Sequence, residues 1–366
     1  MVVASGPVVE RARRLAATVL APAAEATDQA ARVPPGHLAA LADAGLYGLV
    51  GPADHGGLGA PAAVVRTVQE TLAAACGVTS FTWNQHHSAV KALTATSNVA
   101  LRDGLLGPLC AGTTRAGVAF AYLRRPGTPA VAARRVDGGW IVDGEAPWVT
   151  AWGMADVFLT AARAGDDVVW FLLPGEEGDG VRSSPPLALL AMSASRTVRV
   201  TLQGVRIADD RVVDVEPYSA WAARDRLAAG HILPAALGAA AAAIRLLGPE
   251  GATLEAERVQ GREAVYTIAD RAVVAARDGA VDVDDLVAAL VRARAWTLDL
   301  AGRAATAAVV AAGGAAMDRG HPAQRLLREV AFYLIQAQTP ALRRAMLDGL
   351  TAEGSELLAE QAEGRR

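Results

Sequence analysis

The chain has 366 residues, 52% of them hydrophobic, with 35 basic and 38 acidic residues and a formal net charge of −3. This length suits two or three packed units, and the balanced charge without a basic stripe argues against nucleic acid or an anionic membrane surface as a partner. Two cysteines far apart in sequence, Cys76 and Cys110, indicate buried thiols rather than a disulfide. We expect no metal site, no signal peptide and no membrane span, and therefore a cytoplasmic protein.

The first third of the chain predicts helices only. Residues 8–31 have helical periodicity, and a short amphipathic helix over 38–44 ends at Gly45. A glycine-rich loop follows over 45–59. Further helices are expected over 61–76, 80–95 and 99–111.

The middle of the chain, from 116 to about 213, predicts a β-domain because Val, Ile, Phe and Thr alternate between Gly and Pro turns. Asp143-Gly144 is expected to form a tight turn between two strands, the second of which contains Trp148 and Thr150. An aromatic ring beside a hydroxyl can stack on a flat heteroaromatic ring and hydrogen-bond to it. The alternative is that the tryptophans of this hairpin only fill the core.

The last third, from Tyr218 onward, predicts four helices, over 218–247, 252–277, 283–312 and 322–351. The pattern divides the chain into a helical domain over 1–115, a β-domain over 116–214, a helical bundle over 215–352 and a polar tail over 353–366.

Three motifs in this order resemble the acyl-CoA dehydrogenase family. They are the loop Gly45-Leu-x-Gly-Leu-x-x-Pro52-x-x-x-Gly-Gly-Leu-Gly59, the hairpin Gly139-Trp-Ile-Val-Asp-Gly-x-x-x-Trp148-Val-Thr150, and the run Gly313-Gly314…Pro322-x-x-Arg325-x-x-Arg328-Glu329. The resemblance implies an α+β fold with an N-terminal helical domain, a middle β-barrel domain and a C-terminal four-helix bundle. It also implies FAD as cofactor, an acyl thioester as substrate, and a homodimer or homotetramer.

The same resemblance implies a set of cofactor-binding residues. Trp148 would back the flavin ring and Thr150 would bond its polar edge. The remaining members of the set are Tyr122, Leu123, Gly313, Gly314, Gln338 and Thr339. Arg124 and Arg125 replace the family's usual Ser-Asp pair, and are expected either to pair with a diphosphate or to be solvated loop charges.

The family's catalytic glutamate is missing from this sequence. Its two family positions align with Ala337 and Gly230, so neither holds a carboxylate. His87 and His231 are the candidate replacements, because a histidine can act as a base near neutral pH. A lone histidine on a helix is more often structural.

Four functions follow from these observations. The first is an FAD-dependent acyl thioester dehydrogenase with a relocated base. The second is a subunit of a heteromer whose paralogous partner supplies the glutamate. The third is a flavin monooxygenase of the same fold that uses reduced flavin and oxygen, and the fourth is a non-redox scaffold.

Overall fold

The computed structural model describes residues 5–278 and 283–351, and the described part of its first third is helical. The helices are α1 Ser5–Leu15, α2 Ala24–Asp28, α3 Pro35–Asp43, α4 Ala62–Ala75, α5 Gly77–Asn84, α6 His86–Ala95 and α7 Val99–Ala111. Proline opens α3, where its missing N–H has no cost, and Gly112 ends α7 in the left-handed conformation with φ 75°.

The middle of the chain forms one mixed sheet of eight strands. The strands are β1 Ala116–Ala119, β2 Val131–Val136, β3 Gly139–Val149, β4 Val157–Ala164, β5 Asp167–Pro174, β6 Val181–Ser183, β7 Val198–Ala208 and β8 Val212–Pro217. Their order is β6-β7-β3-β2-β4-β5-β8, and β1 pairs in parallel with β4. Within the described residues this order ends at β6 on one side and at β8 on the other.

The predicted turn at Asp143-Gly144 is wrong. The hairpin turns at Asp137-Gly138, where φ of Gly138 is 71°, and β3 continues without a break past Gly144. Gly144 instead lies at a shift in strand register with φ 137°, and a Cβ there would lie 2.1 Å from the Ala130 oxygen. Both positions are Asp-Gly pairs, so the sequence offers the same turn signal at the real turn and at the bulge.

The last third contains six helices within the described residues, where the sequence predicted four. They are α8 Tyr218–Ala229, α9 Pro234–Leu247, α10 Ala252–Asp278, α11 Val283–Ala312, α12 Pro322–Ile335 and α13 Pro340–Thr351. The first and last predicted helices are each broken before a proline, at 230–233 and at 336–339. The predicted tail over 353–366 lies outside the described residues.

The central helix of the last third is α11. The stretch Asp284–Met317 is long and apolar enough to cross a membrane by length and composition alone. Here α11 packs against α9, α12 and α13, as the core helix of a bundle does. This packing buries 33% of the apolar window.

The helical first and last thirds pack directly on each other. Helices α4 and α9 cross so closely that a Cβ on Gly238 would lie 2.3 Å from the Glu70 backbone oxygen. The Asp28 carboxylate of α2 binds Arg328 of α12 at 2.5 Å, and both side chains are buried. Glu329, also buried, accepts from Arg325 at 2.8 Å and from the Gly77 backbone N–H at 3.2 Å.

The predicted fold class is confirmed: a helical N-terminal part, a central sheet and a helical C-terminal part occur in the predicted order. Both cysteines are buried free thiols. The exact domain boundaries remain predictions.

Candidate functional site

Trp148 lies at the end of β3 in a strained backbone conformation. Its φ is 62°, and Ala151 has φ 71°, so two non-glycine residues within four positions are left-handed. Each such residue costs about 1–3 kcal/mol unless its surroundings enforce it. A register shift between Ala146 and Val149 turns the strand here, and the Trp148 side chain is 54% exposed. A flat aromatic surface is thus presented outward at the position where the sequence predicts ring stacking.

Thr150 belongs to a buried chain of three hydroxyl groups. Its Oγ1 lies 3.0 Å from Oγ1 of Thr197, which lies 2.8 Å from Oγ of Ser195. Thr150 itself is only 4% exposed. The hydroxyl therefore points into the protein and bonds Thr197, while the Trp148 ring lies outside. Its predicted bond to a cofactor stays a prediction.

The loop before the hairpin is anchored by buried side chains. Tyr122 and Leu123 are both buried, and the Tyr122 hydroxyl donates to the Ala161 oxygen at 2.5 Å. Arg124 donates from Nε and Nη2 to the two carboxylate oxygens of Asp225, each at 2.7 Å. Arg124 is therefore neither a free diphosphate grip nor a solvated charge. It ties this loop to α8 by a bidentate ion pair.

The two vacant base positions adjoin successive turns of α11. A Cβ on Gly230 would lie 2.9 Å from the Leu290 Cβ, and one turn later Arg294 donates to the backbone oxygen of Gln336 at 2.5 Å. Gln336 directly precedes Ala337, which has φ 47° and is exposed. Arg294 is buried, and this burial lowers its pKa to about 10. The sequence predicted the absence of a carboxylate here but missed the arginine.

The residues that follow Ala337 shape a break between two helices. Gln338 donates from its side chain to the Leu334 oxygen at 3.3 Å, and Thr339 accepts from the Leu342 N–H at 3.2 Å. These contacts end α12 and begin α13. Further along the same third, Gly313 and Gly314 follow α11, and a Cβ added at either would meet nothing within 4 Å. The cofactor roles of all four residues stay predictions.

His87 is packed inside the helices of the first third. It is buried, its Nε2 lies 3.2 Å from the Leu46 oxygen, and its ring meets Trp83 edge-on at 4.5 Å. Burial, with a smaller contribution from the charge of Lys91, lowers the pKa of His87 to about 4. This environment is that of a structural histidine, packed against the buried Trp83.

His231 is the exposed candidate. It follows Gly230 in the break between α8 and α9, and partial desolvation lowers its pKa. The positive charges of Lys91, Arg294 and Arg66 lower that pKa further. A histidine with a lowered pKa is neutral at pH 7, which is the form that accepts a proton. Of the two candidates, only His231 combines access with the vacant base region.

Asp225 is a second residue that sequence reasoning missed. It is the carboxylate nearest in sequence to Gly230 on α8, but both of its oxygens bind Arg124. The two residues are 101 positions apart and belong to different structural units, so no spacing signal joins them. Only the position of α8 against the hairpin loop reveals the pair.

Comparison with known proteins places these residues in context. Residues 7–113 match the family model for the N-terminal domain of acyl-CoA dehydrogenase. The chain is 25% identical over 358 residues to benzylmalonyl-CoA dehydrogenase of Aromatoleum aromaticum, covering 90% of this chain and 92% of that protein. Butyryl-CoA dehydrogenase of Megasphaera elsdenii superposes with a TM-score of 0.77 at 18% identity, over 94% of this chain and 97% of that one.

A monooxygenase has the same fold. Dibenzothiophene monooxygenase of Paenibacillus sp. superposes with a TM-score of 0.74 at 17% identity, over 94% of this chain and 96% of that one. Fold likeness at this identity therefore does not choose between dehydrogenation and oxygenation. The choice between dehydrogenation and oxygenation therefore depends on the residues around α11.

Proposed function

Because this chain belongs to the acyl-CoA dehydrogenase family, we propose that it is an FAD-dependent oxidoreductase acting on the CH–CH bond of an acyl thioester. The main support is that the two vacant base positions adjoin successive turns of α11, at Leu290 and Arg294, near the accessible and neutral His231. In this proposal His231 removes the proton next to the thioester carbonyl. The benzylmalonyl-CoA relative makes a CoA thioester the first substrate to test.

The residues present fit a flavin at Trp148. Trp148 is a half-exposed tryptophan held by a strained backbone, and within the described residues its ring stacks on no other aromatic ring. In the proposal Trp148 backs the ring, and residues 122–123, 150, 313–314 and 338–339 lie along the rest of the cofactor. When bound, the flavin supplies hydride acceptance at N5.

Positive charge around His231 suits this chemistry. Removing a proton next to a thioester carbonyl places negative charge on the carbonyl oxygen. Lys91 and Arg294 act on His231 as positive charges, so they favour its neutral form and oppose the imidazolium that forms when it takes the proton. In the proposal the same charges offset this cost by stabilising the negative charge on the carbonyl oxygen. The arginine at the vacant base thus supports an anionic transition state without supplying a base itself.

The test begins with the visible spectrum of the purified protein. A bound oxidised flavin is expected, and anaerobic addition of butyryl-CoA or benzylmalonyl-CoA should bleach it. A colourless protein that does not take up added FAD would overturn the flavin proposal and leave the scaffold function. Trp148→Ala should weaken flavin retention, whereas Trp170→Phe, on β5, should not.

The base is tested by substitution. His231→Gln should slow the bleaching by about 10²–10⁴-fold with flavin content unchanged, which is the usual contribution of a general base. His55→Gln is the matched control, because His55 is paired with Asp54 and Asp103 away from α11. Equal rates in His231→Gln and the wild type would show that another group takes the proton.

A second function is favoured by one observation: Arg294 donates to the backbone oxygen of Gln336, directly before the vacant base position Ala337. A monooxygenase of this fold needs no proton abstraction from carbon. It would be isolated without flavin and act only with reduced flavin and oxygen. Substrate oxidation that depends on oxygen, with no anaerobic bleaching by CoA thioesters, would favour this function over dehydrogenation.

The assembly is also part of the proposal. Exposed valines on two helices of the last third, Val259, Val274 and Val310, are 55%, 58% and 75% accessible in the single chain. In the proposal these side chains are covered in a homodimer, in a homotetramer or in a heteromer with a paralogue that has the glutamate. Light scattering of the purified chain, alone and co-expressed with such a paralogue, separates these assemblies from a monomer.

A further inference from the structure

Backbone strain is concentrated where two segments of the sheet meet, the Trp148 turn (residues 148–154) and the facing loop (residues 192–197). Within the described residues six non-glycine residues have a left-handed backbone, and four of them lie in these two segments. They are Trp148, Ala151, Met192 and Arg196, with φ between 48° and 71°. Such residues persist only where their surroundings enforce them, and they gather at functional sites. The contacts between the two segments are therefore what holds the Trp148 turn in its shape.

The two segments are joined first through their backbones. Beyond the last paired residues of β3 and β7, the Ala151 N–H donates to the Ser195 oxygen at 2.9 Å. The facing loop is itself fixed to the helical first third, because the Val33 N–H donates to the Ala194 oxygen at 2.8 Å. The Trp148 turn is therefore attached, through the facing loop, to a part of the molecule outside the sheet.

The Arg196 side chain crosses the Trp148 turn. Its Nε donates to the Trp152 oxygen at 3.0 Å. The guanidinium group also lies beside Gly153, where an added Cβ would be 3.9 Å from Nε and 4.0 Å from Nη2. Since Arg196 has φ 48°, a glycine in its place would keep the backbone conformation and lose only these side-chain contacts. Arg196 therefore holds the turn by a bond from its side chain to the backbone of the turn.

The buried hydroxyl chain gives the second side-chain link between the segments. Thr197 Oγ1 lies 3.0 Å from Thr150 Oγ1 and 2.8 Å from Ser195 Oγ. Three hydroxyl protons serve these two hydrogen bonds, so one proton is left over. Ser195 is fully buried and its hydroxyl has no other partner within the described residues, so a surplus proton there would be unsatisfied. A chain that donates from Ser195 to Thr197 and from Thr197 to Thr150 avoids this cost and leaves the Thr150 proton free, next to Trp148.

We propose that Thr197 and Arg196 are positioning residues, which hold the Thr150 hydroxyl and the Trp148 ring in place for a flat heteroaromatic ring. This role rests on the flavin assignment in the proposed function and extends it to residues that act through Trp148 and Thr150. Thr197 sets the direction of the Thr150 proton, and Arg196 fixes the backbone that follows Trp148. A turn ordered in advance strengthens binding, because the ligand does not have to supply the free energy of ordering it.

The test is titration of the flavin-free chain with FAD, followed by the change in flavin fluorescence. Thr197→Val removes the hydroxyl at nearly constant side-chain volume, whereas Thr197→Ser keeps it. Thr197→Val should weaken FAD binding about tenfold, as expected for loss of a buried hydrogen bond, and Thr197→Ser should retain most of the wild-type affinity. Arg196→Gly should also weaken FAD binding, although glycine accepts the left-handed backbone at this position.

The matched control is Thr160→Val. Thr160 is buried in β4, and its hydroxyl donates to the Phe158 oxygen of its own strand at 3.0 Å. This variant deletes a buried hydroxyl as Thr197→Val does, and it should leave the FAD affinity unchanged. Amide hydrogen exchange of the flavin-free chain gives a second readout. Peptides over 148–154 should exchange faster in Thr197→Val and Arg196→Gly than in the wild type, and at the wild-type rate in Thr160→Val.

The outcomes separate this role from the proposed function. A wild-type chain that binds no FAD overturns both. FAD binding that is equally tight in the wild type, Thr197→Val and Arg196→Gly overturns the positioning role alone and leaves the proposed function standing. Equal weakening by Thr197→Ser and Thr197→Val would show that the methyl group matters and not the hydroxyl. Weaker binding with unchanged exchange over 148–154 would show that the side chains do not act through the turn, and either result overturns the positioning role.

Discussion

The buried ion pair between Asp28 and Arg328 predicts a large loss of stability on truncation. The pair joins α2 to α12 through two bonds of 2.5 Å and 3.1 Å, and the two side chains are 2% and 9% exposed. In Asp28→Ala, the acceptors left to Arg328 among the described residues are neutral: Gln324 at 2.7 Å and the Leu190 oxygen at 3.4 Å. An uncompensated buried charge costs about 3–5 kcal/mol.

This cost corresponds to a fall in the thermal midpoint of roughly 4–7 °C, because the unfolding entropy of about 2.1 cal/mol/K per residue is summed over 366 residues. Circular dichroism melts and urea unfolding measure it. The double variant Asp28→Leu with Arg328→Met should recover most of the loss, because it removes both charges. Asp209→Ala, which breaks the exposed pair with Arg135, should leave the midpoint unchanged. A loss below about 1 kcal/mol in Asp28→Ala, or no recovery in the double variant, would refute the reasoning.

Three further predictions follow from named positions. Gly77→Ala places a Cβ 2.5 Å from the Glu329 carboxyl carbon and should cost about 1–3 kcal/mol in urea unfolding, whereas Gly104→Ala, where nothing lies within 4 Å, should be neutral or stabilising. Burial lowers the pKa of His87 to about 4, so the free energy of unfolding should be constant above pH 6.5 and fall as the pH drops toward 4, by at most about 1.4 kcal/mol per pH unit. In His87→Phe the free energy of unfolding should differ less between pH 7.5 and pH 5 than in the wild type. Ala337→Glu should accelerate anaerobic bleaching by butyryl-CoA, and no gain would show that this position does not face the substrate.

The order of the elements could be predicted from the sequence because apolar periodicity and the Gly and Pro residues that end elements are local signals. Helices at 62–75 and 99–111 follow from apolar spacing, and the change to alternation near 116 marks the sheet. The hairpin turn was misplaced because two Asp-Gly pairs give the same local signal. Only strand register, which depends on the partner strand, separates the turn at 137–138 from the bulge at 143–144.

The candidate site was less predictable for the same physical reason. The missing carboxylates at Gly230 and Ala337 can be found by alignment, but Arg294 beside them depends on how α11 packs. The bond of Arg124 to Asp225 crosses 101 positions, and no pattern within either segment indicates it. Trp148 was found from its motif, whereas its outward ring and left-handed backbone are properties of the folded strand.

The long-range hydrogen bond between Glu329 and the first amide of α5 shows that the N-terminal helices depend on the C-terminal third. The amide of Gly77 donates to a residue 252 positions later, and the partner of Asp28 lies 300 positions later. In addition, α4 packs closely on α9 at Gly238. A fragment that ends near residue 115 would contain all of these helix sequences. It would lack the partners of the Asp28 carboxylate and of the first amide of α5, and the face of α4 that packs on α9 would be exposed. The N-terminal third is therefore a unit of sequence comparison but not of folding, and it is not a module that can be exchanged between proteins on its own.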